Sequence, residues 1–515
     1  MTPDDLISAI LRAPVDLLWN GGIGTYVRAT SETDAQVGDR ANDPVRVTAK
    51  DVRAKAAGEG GNLGWTQAGR IEYARNGGRI NTDFIDNSAG VDTSDHEVNI
   101  KILLDAEVAA GRISEQERDE LLPAMADDVA SLVLRHNHSQ NLALANALSS
   151  DGPTAGVLEA WMCELEESGH LDRAVDTMPS TTEMNRRMAA GERLASPELC
   201  TLLAWTKIAL CDAVLATDLP EDPFVADRLV GYFPPLLRER FTERMPTHRL
   251  HREIITTEAV NRFVDSQGIT AYYRLHLQTG ADIAQVIRCQ LAARSVFGLG
   301  RVETDLTHLG LDAVRTAKIR LALTDLAMHA TRWFLNHGGA DDIAGTIETY
   351  RPGVATLVEK LSERLLGDSA DAWQEKVDEV TELGLDRSDA AVVAAYDWSP
   401  VLLSIVEISE EGHPLDEVAD AYLTLARRVD MIRLTRLVEQ LPQDRPTDAR
   451  VRASLREDLL RVMSDATRRA LVIGTDNVLA DGGRIVKSIA ANPDLAHCVV
   501  MVSDLRSAVG QEVTL

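Results

Sequence analysis

The chain has 515 residues, about three domains at a soft prior of ~150 residues each, and its 45% hydrophobic and 26% charged content is that of a globular protein. Its 53 basic against 80 acidic residues give a net charge of -27, which lacks the basic footprint of a nucleic-acid binder. The apolar runs fall far short of the ~18 residues that span a bilayer, Met1-Thr2-Pro3-Asp4-Asp5 is not a secretory signal, and five scattered cysteines without a CxxC pair fit reduced thiols, so the expectation is a cytoplasmic protein with no membrane, nucleic-acid or metal partner.

The first hundred residues are glycine-rich and mix short strands with helices. Thr2 caps, Pro3 suits the first helical position, and Asp5 completes a capping box, so a helix opens the chain and ends at Pro14. Val15–Trp19 reads as a buried strand running into the turn Asn20-Gly21-Gly22-Ile23-Gly24. Val52–Ala57 reads as a second strand, stopped by Gly58-Glu59-Gly60-Gly61-Asn62-Leu63-Gly64. Thr66 caps a helix over Gln67–Arg75, which Asn76-Gly77-Gly78 terminates. Arg79–Ile85 is a third expected strand, Asn87-Ser88-Ala89-Gly90 the turn after it, and a long helix is expected over Ser94–Ala110. Strand, glycine-rich turn and helix in alternation predict a parallel α/β sheet.

From Gly111 the pattern becomes helix after helix. Ser114-Glu115-Gln116-Glu117 is a capping box, and Ser196-Pro197-Glu198 opens another helix. Breaks at Pro234-Pro235, Gly268, Gly338-Gly339 and Pro352-Gly353 divide the helices. Residues 341–430 hold 21 acidic and 7 basic residues, a solvated acidic surface. The expected organisation is therefore an α/β region over 1–110, a helical domain over 111–340 and an acidic helical subdomain over 341–515.

In an open α/β sheet, ligands bind beyond the carboxyl ends of the strands, where backbone amides and helix N-termini are free. The turns Asn20–Gly24, Gly58–Gly64 and Asn87–Gly90 all sit at such ends. Glycine lets backbone approach a flat ligand, and Asn offers both a donor and an acceptor. The alternative is that these are turn residues only. No GxGxxG or GxxxxGK[ST] element is present in the sequence. His136 and His138, two apart, diverge on a helix, and His248 and His251 have no companion motif, so packing roles are expected for them. Asp95-His96-Glu97 is read either as a proton relay beside Ser94 or as exposed helix polarity.

Gly58–Asn62, followed by Ile80–Ser94, resembles the cofactor domain of glutamate dehydrogenases, which carry Glu-Gly-Ala-Asn and then Asn-Ala-Gly-Gly-Val-x-x-Ser. With Asp16–Tyr26 before and Ser94–Lys101 after, and with Leu219–Pro223, Tyr232-Phe233-Pro234 and His248–Ile255 further on, the chain resembles the large NAD-specific bacterial enzymes of that family over most of its length. Thr82, Ser88 and Ala89 depart from the pattern of the smaller enzymes.

The resemblance implies a partial Rossmann-like NAD-binding domain followed by a mostly all-α region. It implies that Glu59, Gly60, Gly61 and Asn62 line NAD, that Asn87 stands near the nicotinamide and the substrate, and that Ser94 binds the substrate's side-chain carboxylate. The implied reaction is oxidative deamination of L-glutamate to 2-oxoglutarate and ammonium. Its catalytic lysine and aspartate are expected in a substrate domain upstream, since residues 1–100 carry only Lys50 and Lys55 and only 8 of the 53 basic residues are lysine. The chain is thus expected to be the C-terminal part of a longer, homo-oligomeric enzyme and inactive alone. The alternatives are a helical oligomerisation or regulatory region with a cofactor-domain remnant, or another amino-acid dehydrogenase.

Overall fold

The computed structural model describes residues 2–149, 154–441, 446–479 and 494–510, and the chain divides into two compact units, Met1–Thr270 and Ala271–Leu515. The first unit starts with α1 (Pro3–Leu11), built as its cap predicts. Thr2 Oγ1 accepts the Asp5 N–H at 3.2 Å, and the Asp5 carboxylate accepts the Thr2 N–H at 2.9 Å. No residue of α1 is buried.

Four short strands follow among the described residues. β1 (Leu17–Asn20), β2 (Val27–Arg28), β3 (Val47–Thr48) and β4 (Ala56–Glu59) form two parallel pairs, β1 with β4 and β2 with β3, in place of one continuous sheet. The β1–β4 register sets Leu17 opposite Ala56 and Asn20 opposite Glu59. Val27, Val47, Ala57, Trp65, Tyr73 and Ile80 form the core against these pairs. The Tyr73 hydroxyl is satisfied by the Ala54 carbonyl at 2.6 Å.

After the short helix α2 (Asp34–Val37) comes α3 (Gln67–Arg75), which has the bounds its caps predict: Thr66 Oγ1 accepts the Gly69 N–H at 3.0 Å. The second expected strand begins late, because Ala49–Asp51 form a 3-10 turn and pairing starts only at Ala56. The third expected strand is reduced to a single bridge between Arg79 and Ala56. Thr82 is extended and turns the chain into α4 (Asp83–Asp86), where Asp83 Oδ2 accepts the Leu63 N–H at 2.8 Å and pairs with Arg70 at 3.2 Å. Those tertiary partners override the strand-like composition of the segment. Next, α5 spans Ser88–Ala109, so Ser94 lies in its second turn rather than at its start.

The rest of the first unit is helical: α6 (Glu115–Ala124), α7 (Ala126–Leu148), α8 (Ala155–Glu167), α9 (Thr181–Ala189), α10 (Ser196–Leu215), α11 (Pro223–Ala226), α12 (Arg228–Tyr232), α13 (Pro235–Phe241) and α14 (His251–Gln267). Ser114 caps α6 and α10 opens at Ser196, as the sequence predicts. Ser114 Oγ accepts the Glu117 N–H at 3.1 Å, and Glu198 accepts the Ala195 N–H at 2.7 Å. α7 packs on both α5 and α14, and the glycine-rich region meets these helices through α3 on α10 and α4 on α5 and α7. The change of composition at residue 110 falls inside the first unit.

The second unit comprises α15 (Ala271–Thr279), α16 (Ile283–Val296), α17 (Leu299–His308), α18 (Ala313–Asn336), α19 (Ile343–Arg364), α20 (Asp368–Glu382), α21 (Arg387–Ala394), α22 (Ser399–Ser409), α23 (Leu415–Arg428), α24 (Met431–Glu439), α25 (Pro446–Ile473) and a closing helix over Leu495–Gly510. The change expected near residue 340 falls inside this unit, between α18 and α19. The stretch Arg387–Ser409 has the length and apolarity to cross a membrane. Here it is α21, a 3-10 turn and α22, and Val401, Leu402, Leu403 and Ile405 lie in the unit's core.

A half-buried ion cluster ties three helices of this unit together. His337, at the end of α18, stands 2.9 Å from Glu407 on α22 and 3.3 Å from Glu457 on α25, and stacks on Trp333 at 4.1 Å. Burial opposes its charge, yet the two carboxylates lift its pKa from 6.5 to about 9. A raised folded-state value means stabilisation that is full below the unfolded pKa and lost as pH rises through 9. His337→Gln should therefore cost most stability at pH 6 and least above pH 9 in urea unfolding followed by circular dichroism. A cost independent of pH would refute this linkage.

Candidate functional site

The carboxyl ends of β1 and β4 lie side by side, and the two glycine-rich turns leave from them. The Asn20 carbonyl accepts the N–H groups of Gly60 and Gly61 at 2.8 and 3.1 Å, which staples one turn to the other. The glycines are needed for this closure. A Cβ at Gly61 would stand 2.6 Å from the Gly22 carbonyl oxygen, and one at Gly60 would stand 2.6 Å from the Trp19 ring. Gly58 and Gly60 are thus roofed by Trp19, whose indole is 59% exposed. The close backbone approach that glycine permits is made between the turns themselves and to Trp19.

Glu59, the last residue of β4, is fully buried and its carboxylate is taken by protein groups. Arg70 on α3 donates to it from Nε at 2.6 Å and Nη2 at 2.9 Å, and the Trp65 N–H donates at 3.1 Å. Burial pushes the Glu59 carboxyl up, against the pull of Arg70. The backbone N–H of Glu59 donates to Asp86 Oδ2 at 3.0 Å, and burial raises the Asp86 carboxyl as well. Glu59 is therefore a frame for the turn: both its carboxylate and its N–H have partners inside the protein.

Two of the sequence-derived site residues meet. Asn87 Nδ2 donates to Asn62 Oδ1 at 3.0 Å, joining the turn after β4 to the start of α5. Asn62 is exposed and Asn87 half-buried, so each amide keeps donor or acceptor capacity toward solvent. Ser94 is exposed on α5, seven residues after Asn87. At 100° per residue the two share one helix face, with the exposed Val91 and Val98 along the same stripe. Asn62, Asn87 and Ser94 thus present polar groups to solvent on one side of the turn and α5, while Gly60 and Gly61 shape the turn that holds Asn62.

The histidines separate sharply. His248 is buried and structural: it bonds the Asn99 carbonyl at 3.0 Å and accepts the Leu250 N–H at 3.1 Å. His251 opens α14 and bonds the His248 carbonyl. His96 is not an exposed relay member, because it is fully buried under Tyr232 at 4.2 Å. Burial lowers its pKa to about 4. His136 on α7 bonds Asp92 at 2.9 Å, which raises its pKa. His136, expected to pack only, has this polar partner, and the sequence signal for the corner is the Asp92-x-x-x-His96 spacing on α5. Of the two lysines in residues 1–100, Lys50 is exposed and Lys55 is exposed and paired with Asp16 at 2.7 Å.

Residues 191–512 match the family described as glutamate dehydrogenase, C-terminal, and residues 1–147 match bacterial NAD-glutamate dehydrogenase, catalytic domain. The chain is similar to the NAD-specific glutamate dehydrogenase of Mycobacterium tuberculosis, 41% identical over 476 residues that cover 92% of this chain and 29% of that protein. It is similar to the enzyme of the same name from Pseudomonas aeruginosa, 38% identical over 527 aligned positions covering 100% of this chain and 32% of that protein. A third, from Halomonas elongata, is 37% identical over 481 residues, 92% of this chain and 30% of its own length. The chain spans about a third of the length of these curated relatives.

Proposed function

Because the chain belongs to the glutamate dehydrogenase family, we propose that it is part of a longer enzyme that oxidatively deaminates L-glutamate to 2-oxoglutarate and ammonium with NAD. In this reading residues 1–110 are the C-terminal part of a Rossmann-like cofactor domain, and the helices after them form the enzyme's C-terminal region. The enzyme works as a homo-oligomer in the cytoplasm, and this chain alone has no dehydrogenase activity. The observation that supports it best is the Asn62–Asn87 pair at the carboxyl end of a parallel strand pair, with Ser94 on the same side of α5.

The residues fit one end of the dinucleotide. Bound NAD supplies the hydride acceptor. Asn62 and Asn87 offer amide donors and acceptors suited to the nicotinamide carboxamide and its ribose, and the bond between them keeps both side chains from rotating away. Ser94 donates its hydroxyl to the side-chain carboxylate of glutamate. Gly60 and Gly61 shape the turn, and Glu59 holds it by its buried bonds.

The test uses the longer enzyme. Ser94→Ala should raise the KM for glutamate by about tenfold with little change in the KM for NAD, the size of one lost charge-assisted hydrogen bond of ~1.5 kcal/mol or more. Asn87→Ala should raise both. Steady-state kinetics showing unchanged KM values for both variants would overturn the assignment.

A further inference from the structure

We infer that Asp92, His96 and His136 form a binding site for one divalent transition-metal ion of the zinc class, linking α5 to α7. Asp92 and His96 are four residues apart on one face of α5, and His136 reaches them from α7. One donor atom from each residue lies within 4.8 Å of the others. Asp92 Oδ2 is 2.9 Å from His136 Nδ1, and Asp92 Oδ1 is 3.7 Å from His96 Nε2. Bonds of about 2.0–2.2 Å at tetrahedral angles set ligand atoms roughly 3.4 Å apart, so only small rotations would close the set.

His96 is the independent observation. Its side chain is fully buried, and neither ring nitrogen has a hydrogen-bond partner. Buried polar atoms are almost always bonded, and an orphan pair on one ring calls for an explanation. The ring is held flat between Tyr232 at 4.2 Å and His136 at 5.8 Å, with interplanar angles of 19° and 20°. It is thus fixed with Nε2 toward Asp92, and a metal ion there would satisfy that nitrogen.

The surroundings match a metal site beyond the three ligands. His136 Nε2, on the far side of the ring from its Asp92 contact, lies 3.8 Å from Glu258 of α14. At that distance Glu258 acts on the ring as a charge and not as a hydrogen-bond acceptor; a small rotation would bring it to the outer position that carboxylates take behind zinc-bound imidazoles. Two imidazoles and one carboxylate suit Zn2+, or Fe2+ and Co2+ in the same geometry, over Ca2+ or Mg2+. Asp92 and His136 are each about a quarter to a third exposed, which leaves a solvent side for a fourth ligand and for entry of the ion. Bound there, the ion would tie α5 to α7 close to the turn that carries Asn87.

The probe is Zn2+ itself, dialysed against the EDTA-stripped 515-residue chain, with metal content read by mass spectrometry and stability by thermal melting. One Zn2+ per chain and a raised Tm are expected. Asp92→Asn and His136→Gln change part-exposed side chains and should leave the metal-free Tm near that of the parent. Each should weaken Zn2+ by more than the roughly 10–100-fold that loss of an outer partner causes. Parent and variants binding Zn2+ alike, or a parent that takes up none, would overturn the site. If a variant does not fold, Co2+ in the parent decides: intense visible bands of a four-coordinate nitrogen site support it, and pale six-coordinate bands refute it.

Discussion

Replacing Arg70 by methionine should cost the first unit about 3–5 kcal/mol, the range seen when one partner of a buried ion pair is removed. Arg70 is 3% exposed and serves two carboxylates at once, Glu59 at 2.6 Å and Asp83 at 3.2 Å. Burial works against its charge, but Glu59 and then Asp83 hold its pKa above the ordinary value. Methionine keeps the bulk and deletes the charge, so the loss measures two stranded carboxylates rather than a cavity. The pH dependence identifies the cause. Without the cation, burial and the Asp83 charge raise the Glu59 carboxyl against the Trp65 N–H alone, and the folded state then holds a proton that the unfolded state releases. Stability rises as pH falls wherever the folded state binds more protons. The deficit of Arg70→Met in urea unfolding should therefore shrink between pH 7 and pH 5. Glu59→Gln, which keeps an acceptor for the Trp65 N–H, should cost less, and the double variant should cost less than the sum. A deficit under 1 kcal/mol, or one that does not move with pH, would show that the trio is not ionised as drawn.

This trio gives Glu59, which the family resemblance places along the cofactor, a framing role through its internal partners. A Glu between two glycines is a local pattern, whereas its partner Arg70 sits eleven residues away and Asp83 twenty-four. Local chemistry was legible throughout. The caps at Thr2, Thr66 and Ser114 act where the spacing predicts, because a cap involves groups three residues apart. Long-range chemistry was not. Arg79–Ile85 has strand-like composition, but Asp83 is drawn into a helical turn by Leu63 and Arg70. The pairs β2 and β3 are two residues each, too short to leave a period-two signal. The Asn62–Asn87 contact joins residues that the family resemblance singled out separately. His136 joins Asp92 across 44 positions, and no spacing rule relates α5 to α7.

Gly61→Ala should destabilise the glycine-rich turns by driving a methyl group into backbone. The added Cβ would meet the Gly22 carbonyl oxygen at 2.6 Å, and because that atom is backbone it has no rotamer through which to yield. Something must move, and the Asn20 carbonyl that accepts both the Gly60 and Gly61 N–H groups is the nearest restraint to give way. Overpacking of this kind costs about 1–3 kcal/mol. Gly22→Ala is the matched control: it lies in the same closure, has no positive φ and has nothing within 4 Å of its Cβ, so it should stay within about 0.5 kcal/mol of the parent. The two variants differ in sequence by position alone, which separates a methyl that collides from one that does not. Asn62 follows Gly61 directly, so the same shift would carry its side chain away from Asn87. If the proposed function holds, Gly61→Ala in the longer enzyme should weaken NAD more than it weakens glutamate, while Gly22→Ala changes neither. Equal stability for the two variants would mean that the turns are free to open. Gly61 would then face a ligand across a gap, which is the role its sequence first suggested.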